Sequence, residues 1–155
     1  MNKDLSDKIK SNPFGGWLIL VQIILFLLIF GRLNDAQMFW GLLGEEDKLM
    51  KTQGITDPHM YTTFIYIELI AGIILLIWAL TLMYLFFKRV RLFKILMIIF
   101  IIVDQLTDVI IYSLFHSLAS SGPYVLQKLI FGIIIGALLI FYLALSERVK
   151  LTFIK

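Results

Sequence analysis

Long apolar runs, separated by short polar segments, dominate the pattern of the chain. A helix that crosses a bilayer core of about 30 Å needs roughly 20 mostly apolar residues. Four runs reach that length, at about residues 14–33, 61–87, 95–118 and 124–145. The segments between them are too short for a separate soluble domain. The pattern therefore predicts an all-α integral membrane protein, with a four-transmembrane-helix bundle as one domain over residues 1–155.

Composition excludes the alternative of a water-soluble domain. The chain is 60% hydrophobic and 16% charged, with a mean hydropathy of +0.92, whereas a soluble domain carries about 25% charged residues. The absence of cysteine excludes disulfides and thiolate metal sites. The net charge of +3 is small and nothing in its distribution suggests nucleic acid as a partner.

The distribution of Lys and Arg predicts the orientation of the bundle. Ten of the fourteen lie in the two tails and in the turn between the second and third runs, and four lie on the opposite side. Cytoplasmic segments retain basic residues, so both termini are expected in the cytoplasm. The first apolar run is longer than a secretory signal and has no A-x-A-like cleavage site after it, so we interpret it as a retained span.

The residues at the two membrane surfaces predict contacts with lipid. The longer outer loop begins with an apolar cluster around Trp40, which we expect to lie along the interface, where Trp is enriched. At the inner surface the tail from Arg148 onwards alternates basic and apolar residues, as a short helix on an anionic leaflet would. The predicted inner contacts with lipid are Trp17, Lys88, Arg89, Arg91, Arg148 and Lys150.

Three acids fall inside predicted spans: Glu68, Asp104 and Asp108. A carboxylate at the centre of a span costs about 2.5–3.5 kcal/mol on insertion scales, so such residues face protein or water. Asp104 and Asp108 share one helical stripe of about 120°, at 100° per residue. The same stripe carries three neutral polar side chains, Gln105, Tyr112 and His116. We therefore predict that the three acids converge on one interior site in the outer half of the bundle.

The cation of this site is expected to be one of two residues, Lys128 or Arg32, because no other base lies in that half of a span. Lys128 is ranked first. Two interpretations stay open: a site for a proton, a cation or a small solute, or a set of buried polar contacts that only join helices. A metal site is not predicted, since the chain offers the acids no second histidine in the stripe and no cysteine.

Glycines predict close helix contacts. Gly132 and Gly136 form a small-xxx-small motif in the fourth run, and Gly72 lies one turn after Glu68. Packing inside the bundle is favoured over a homodimer face.

No catalytic motif is present: the chain has no HExxH, no P-loop and no G-x-S-x-G. We therefore expect no enzyme, no catalytic residue and no cofactor. The leading hypothesis is a binder of small solutes or cations, or a transport accessory. The alternative is a structural subunit whose polar stripe receives another protein's helix. The expected partners are membrane lipids, together with a second copy or another membrane protein.

Three segments carry a family resemblance: Gly15-Gly16-Trp17-Leu18, Phe86-Phe87-Lys88-Arg89, and the tail from Ser146 to Phe153, which reads Ser-x-Arg-Val-Lys-x-Thr-Phe. With these segments the chain resembles the bacterial four-span membrane proteins catalogued as domain of unknown function 2569. In that family an acid followed by Leu is a feature of the second span, and Glu68-Leu69 matches it. The resemblance implies four helices in a bacterial cytoplasmic (inner) membrane and supplies no activity.

Overall fold

The described part of the protein is entirely helical. A computed structural model describes residues 17–43, 58–118 and 123–153. They form five helices: α1 (Trp17–Leu42), α2 (Pro58–Lys88), α3 (Leu92–Leu118), α4 (Pro123–Leu145) and the short α5 (Glu147–Thr152). No strand occurs in these ranges. The predicted all-α class is confirmed.

Three of the helices have the length and hydropathy to cross a membrane: Leu18–Leu42, Thr62–Lys88 and Leu92–Ser113. In α4 the apolar stretch is shorter, Leu129–Leu145. The prediction of a membrane protein with long apolar spans is thus supported for α1, α2 and α3.

Each helix packs on the next along the chain, α1 on α2, α2 on α3 and α3 on α4. The buried side chains recur every three or four residues, the spacing that keeps one face of a helix turned to its neighbours. In α1 they are Leu18, Val21, Leu25 and Ile29; in α2 Leu75, Ala79, Leu82 and Phe86; in α3 Phe93, Met97, Phe100 and Ile101; in α4 Leu139 and Leu143. These stripes form one hydrophobic core.

A tight turn joins α2 to α3. Arg89 has a left-handed backbone with φ of 56°. Its N–H donates to the carbonyl of Phe86 at 3.1 Å, and the N–H of Val90 donates to the carbonyl of Leu85 at 3.3 Å. This pair of bonds is a Schellman motif, in which glycine usually takes the left-handed position. The motif closes the end of α2 and reverses the chain within three residues.

The carboxyl tail folds back on the bundle. Ser146 caps α5 by accepting a hydrogen bond from the N–H of Val149 at 3.4 Å. Phe153 stacks on Phe93 with ring centroids 4.6 Å apart and contacts Phe86 at 5.7 Å. Val149 and Phe153 are buried in the core. The prediction that the apolar side chains of this tail face lipid is therefore wrong for Val149 and Phe153, because an aromatic pocket of the bundle accepts them.

The segment around Trp40, predicted to lie along the interface, is the carboxyl-terminal part of α1. The chain does not leave the bilayer helix at Leu33; α1 continues to Leu42. After the polar residues that follow Leu33, Phe39 and Leu42 again lie on the buried face of α1 and pack against Ile65 of α2. A second apolar contact therefore holds the end of α1 against α2.

The glycines of α4 lie against α3. A Cβ atom placed on Gly136 would lie 3.0 Å from Cγ2 of Ile101, and one on Gly132 would lie 3.2 Å from Oε1 of Gln105. Both helices belong to the same chain, so this contact is packing inside the bundle. Gly72 differs, because a Cβ there would meet nothing within 4 Å. A close neighbour at Gly72 therefore stays a prediction.

We expect Gly136→Leu to destabilise the protein by about 1–3 kcal/mol, because the added side chain forces α3 and α4 apart. Thermal unfolding in detergent measures the effect. Gly31→Leu is the matched control, since a Cβ at Gly31 meets nothing within 4 Å. The control should be neutral, or more stable by up to about 1 kcal/mol through helix propensity. Equal effects of the two substitutions would contradict the close contact.

Candidate functional site

One guanidinium and three carboxylates form a polar cluster inside the bundle, which we call the acidic site: Arg32, Asp35, Asp104 and Asp108. Nη2 of Arg32 donates to Oδ1 of Asp104 and, at 3.3 Å, to Oδ1 of Asp108. Nη1 of Arg32 lies 3.8 Å from Oδ2 of Asp35. The site therefore joins α1 to α3.

Helical spacing explains why these residues meet. Arg32 comes three residues after the buried Ile29 in α1, and Asp104 comes four residues after the buried Phe100 in α3. Each is therefore the next position of its helix's buried stripe. At 1.5 Å per residue, Arg32 lies about 22 Å along α1, while Asp104 and Asp108 lie about 18 Å and 24 Å along α3. The hydrogen bonds of Arg32 to Asp104 and Asp108 bring these positions to the same level of the bundle.

Burial decreases across the site. The side chains of Asp104 and Arg32 are 7% and 11% exposed, whereas those of Asp35 and Asp108 are 32% and 39% exposed. Asp104 is consequently held inside, with Arg32 as its partner. Asp35 and Asp108 share the same guanidinium from the more accessible side.

Among the residues that the structure describes, the charges of the site do not balance. With all four groups ionised, three negative charges face one positive charge. In a medium of low dielectric constant an excess charge is costly, and it is relieved by a proton or by a bound cation. Carboxylate oxygens suit hard cations. Among the described residues no group of three or more His, Asp or Glu has the arrangement of a metal-ligand cluster.

The other predicted members of the site are placed as follows. Glu68 is partly buried on α2, and the ion pairs described for Arg32 do not include it. Tyr112 is partly buried on α3. The side chains of His116 and Lys128 lie outside the described residues, as does that of Trp17. The roles predicted for Glu68, Tyr112, His116 and Lys128 stay predictions.

Gln105 belongs to a different contact. Its side chain lies against Gly132 and Gly136 of α4, and its Oε1 is buried without a hydrogen-bond partner in the described part of the chain. Because consecutive residues on a helix point about 100° apart, Gln105 faces α4 while Asp104 faces α1.

Sequence reasoning missed Asp35 and ranked Arg32 below Lys128. The end of the apolar run at Leu33 hid Asp35, because it suggested that the helix stops there. The spacing from Leu25 and Ile29 to Arg32 was the signal available, since it continues the buried stripe. An Asp three residues after Arg32 is within reach of it on a helix.

Basic residues gather at the other end of the bundle, where α2 ends and α3 begins. Lys88 is exposed, with Nζ 5.7 Å from the ring centroid of Tyr84. Arg89 holds the left-handed turn, and Arg91 and Lys150 are exposed. The side chain of Arg148 lies outside the described residues. Contact of these residues with lipid stays a prediction.

We expect Arg32→Gln to lower the free energy of unfolding by about 3–5 kcal/mol, because it leaves buried acids without their cation. Asp104→Asn in the Arg32→Gln background should then cost much less than Asp104→Asn alone. Unfolding in mixed micelles measures this double-mutant cycle. Lys88→Gln, which removes an exposed base at the other end of the bundle, serves as the control and should change stability by less than about 1 kcal/mol. Additive effects of Arg32→Gln and Asp104→Asn would show that the pair is not coupled.

Comparison with known proteins gives one match. The family model described as a protein of unknown function (DUF2569) matches residues 11–154. No curated protein and no solved structure matches the chain. The match covers both the acidic site and the basic end of the bundle, and the chain belongs to the DUF2569 family.

Proposed function

We propose that this protein is a non-enzymatic membrane protein that binds a proton or a small monovalent cation at the acidic site, as a binder or a transport accessory. The observation that supports it is the imbalance of the site: within the part of the chain that the structure describes, the guanidinium of Arg32 faces three carboxylates. A purely structural ion pair needs one acid for one base. Two further acids beside a buried arginine favour an exchangeable positive charge.

The three acids have different roles in this proposal. Asp104 is the fixed partner of Arg32, since both are largely buried. Asp108 is the exchangeable ligand, because it is the most exposed of the three and shares the guanidinium at a longer distance of 3.3 Å. Asp35 adds negative charge beside them and lies on the same helix as Arg32. A cation at this place is bound by carboxylate oxygens and repelled by the guanidinium, so its affinity is modest.

The alternative function, a subunit whose polar stripe receives another protein's helix, has less support. Asp104 and Asp108, the charged members of that stripe, already meet Arg32 of this chain.

We further propose that α4 is a fourth span, that both termini are cytoplasmic and that the membrane is the bacterial cytoplasmic membrane. The 23 residues of α4 are long enough for a bilayer core of about 30 Å. The excess of Lys and Arg near the termini and in the turn between α2 and α3 supports this orientation.

We expect the wild-type protein to be more stable to heat in sodium or potassium chloride than in choline chloride at equal ionic strength. A cation at ten times its dissociation constant stabilises the folded state by about 1.4 kcal/mol. Lowering the pH should weaken this stabilisation, since protons compete for the same oxygens. Asp108→Asn should abolish the difference between small cations and choline while leaving the protein folded, because Asn keeps the shape but cannot ionise.

Glu147→Gln is the matched control for this measurement. It removes one acid from the exposed surface of α5, away from the site. The control should respond to cations and pH as the wild type does. If Asp108→Asn also behaved as the wild type, the acidic site would be structural and the proposed function would be wrong.

The proposed topology predicts the labelling of single cysteines by an impermeant maleimide in intact cells. The chain has no cysteine of its own, so Ser6, Thr52 and Ser120 can be replaced one at a time. Thr52→Cys and Ser120→Cys should be labelled, and Ser6→Cys should be labelled only after the membrane is opened. Labelling of Ser6→Cys in intact cells would reverse the orientation.

A further inference from the structure

A basic cavity lies at the opposite end of the bundle from the carboxyl terminus of α1, and it includes Arg91 and Lys150, two of the residues predicted above to contact lipid. Its volume is about 360 Å³, and it is lined by Arg91, Lys94, Ile95, Val149, Lys150 and Phe153. Three of these six residues are cationic and none is acidic. The other three are apolar. The cavity therefore combines positive charge with a hydrophobic wall.

Three separate elements build this cavity, and each is held in place by a described contact. The turn before α3 supplies Arg91, and the Schellman motif at Arg89 sets the path of that turn. The first turn of α3 supplies Lys94, whose Nζ donates to the carbonyl of Ala144 at 3.3 Å. Lys94 is thereby tied to the end of α4, where helix carbonyls lack intrahelical partners.

The third element is α5, which supplies Lys150. The stacking of Phe153 on Phe93 and the burial of Val149 fix α5 against the bundle. Lys150 therefore points from a docked helix and not from a loose tail. The positions of Arg91, Lys94 and Lys150 are consequently preorganised, which lowers the entropic cost of binding an anion.

The position of the cavity along the helices identifies its ligand. It lies where the apolar spans end, at the start of α3 and just beyond the end of α4. This is the level of the lipid headgroups. A phosphate with an attached hydrocarbon chain matches the cavity. Its phosphate contacts the three cationic side chains, and its chain continues along the three apolar ones.

We propose that this cavity binds the phosphate group of an anionic phospholipid. Binding at this cavity differs from general attraction to a charged surface, because it depends on the residues that line the cavity, such as Lys94 and Phe153, and not on Lys88. The cavity is also independent of the acidic site, so a result that disproves lipid binding here does not affect the proposal of cation binding there, and the reverse also holds.

The test is native mass spectrometry of the full chain with phosphatidylglycerol or phosphatidylcholine of equal chain length. We expect wild type to retain phosphatidylglycerol preferentially. Lys150→Gln and Arg91→Gln, at exposed positions that should not disturb folding, should each reduce its retention at least about fivefold, the effect of one basic residue near an anionic surface. Lys88→Gln removes the same charge at the same end of the bundle, and it should change retention less than Lys150→Gln does, since Lys88 does not line the cavity.

Two results would overturn the proposal. An equal loss in Lys88→Gln and Lys150→Gln would show nonspecific attraction to the surface, and no loss in either Lys150→Gln or Arg91→Gln would show that the cavity is not the site. A parallel arm uses inorganic phosphate and thermal unfolding. Stabilisation by inorganic phosphate that matches stabilisation by phosphatidylglycerol, and that is lost in Lys150→Gln, would assign the cavity to a soluble phosphate compound and overturn the assignment to lipid.

Discussion

A guanidinium inside an apolar bundle must find acceptors, because neither lipid tails nor hydrocarbon side chains can solvate it. Arg32 meets this constraint through carboxylates from its own helix and from α3. Arginine suits the role, since its planar fork carries five donors and stays charged. Because the partners lie on two helices, satisfying Arg32 also fixes the height of α1 relative to α3.

The layers on either side of the acidic site are apolar. Ile29 closes it on one side, and the contact of Phe39 and Leu42 with Ile65 lies on the other. The apolar side chains of Leu25, Ile29 and Phe39 tolerate small shifts along the helix axis, but an ion pair does not. The polar layer between the two apolar layers thus fixes one axial register of α1 against α3, as buried polar residues do in coiled coils.

The sequence predicted the existence of the helices and the inward stripe of α3, because long apolar runs and helical periodicity are local properties. The partner of Asp104 was harder to predict, since Arg32 lies 72 residues away and only packing brings it near. The drop in hydropathy at Asn34 was interpreted as the end of a helix. Hydropathy indicates whether a side chain favours lipid or water, and it does not indicate where the helical backbone ends. The inward turn of Val149 and Phe153 was also missed, because an alternating basic and apolar tail fits a lipid surface as well as a protein pocket. For Glu68 and Lys128 the prediction has yet to be tested.

The separation of Arg32 from Asp104 has a consequence for biogenesis. Arg32 enters the membrane during synthesis well before Asp104 has been made, and at 5–20 residues per second the intervening 72 residues take about 4–14 s. Throughout this interval α1 is a span with a buried cation whose main partner does not yet exist. Asp35, one turn away on the same helix, is the acid that accompanies Arg32 from the start. An acid one turn from a cation on the same helix lowers the cost of burying that cation, so we expect Asp35 to ease insertion of the first helix until the third helix completes the site.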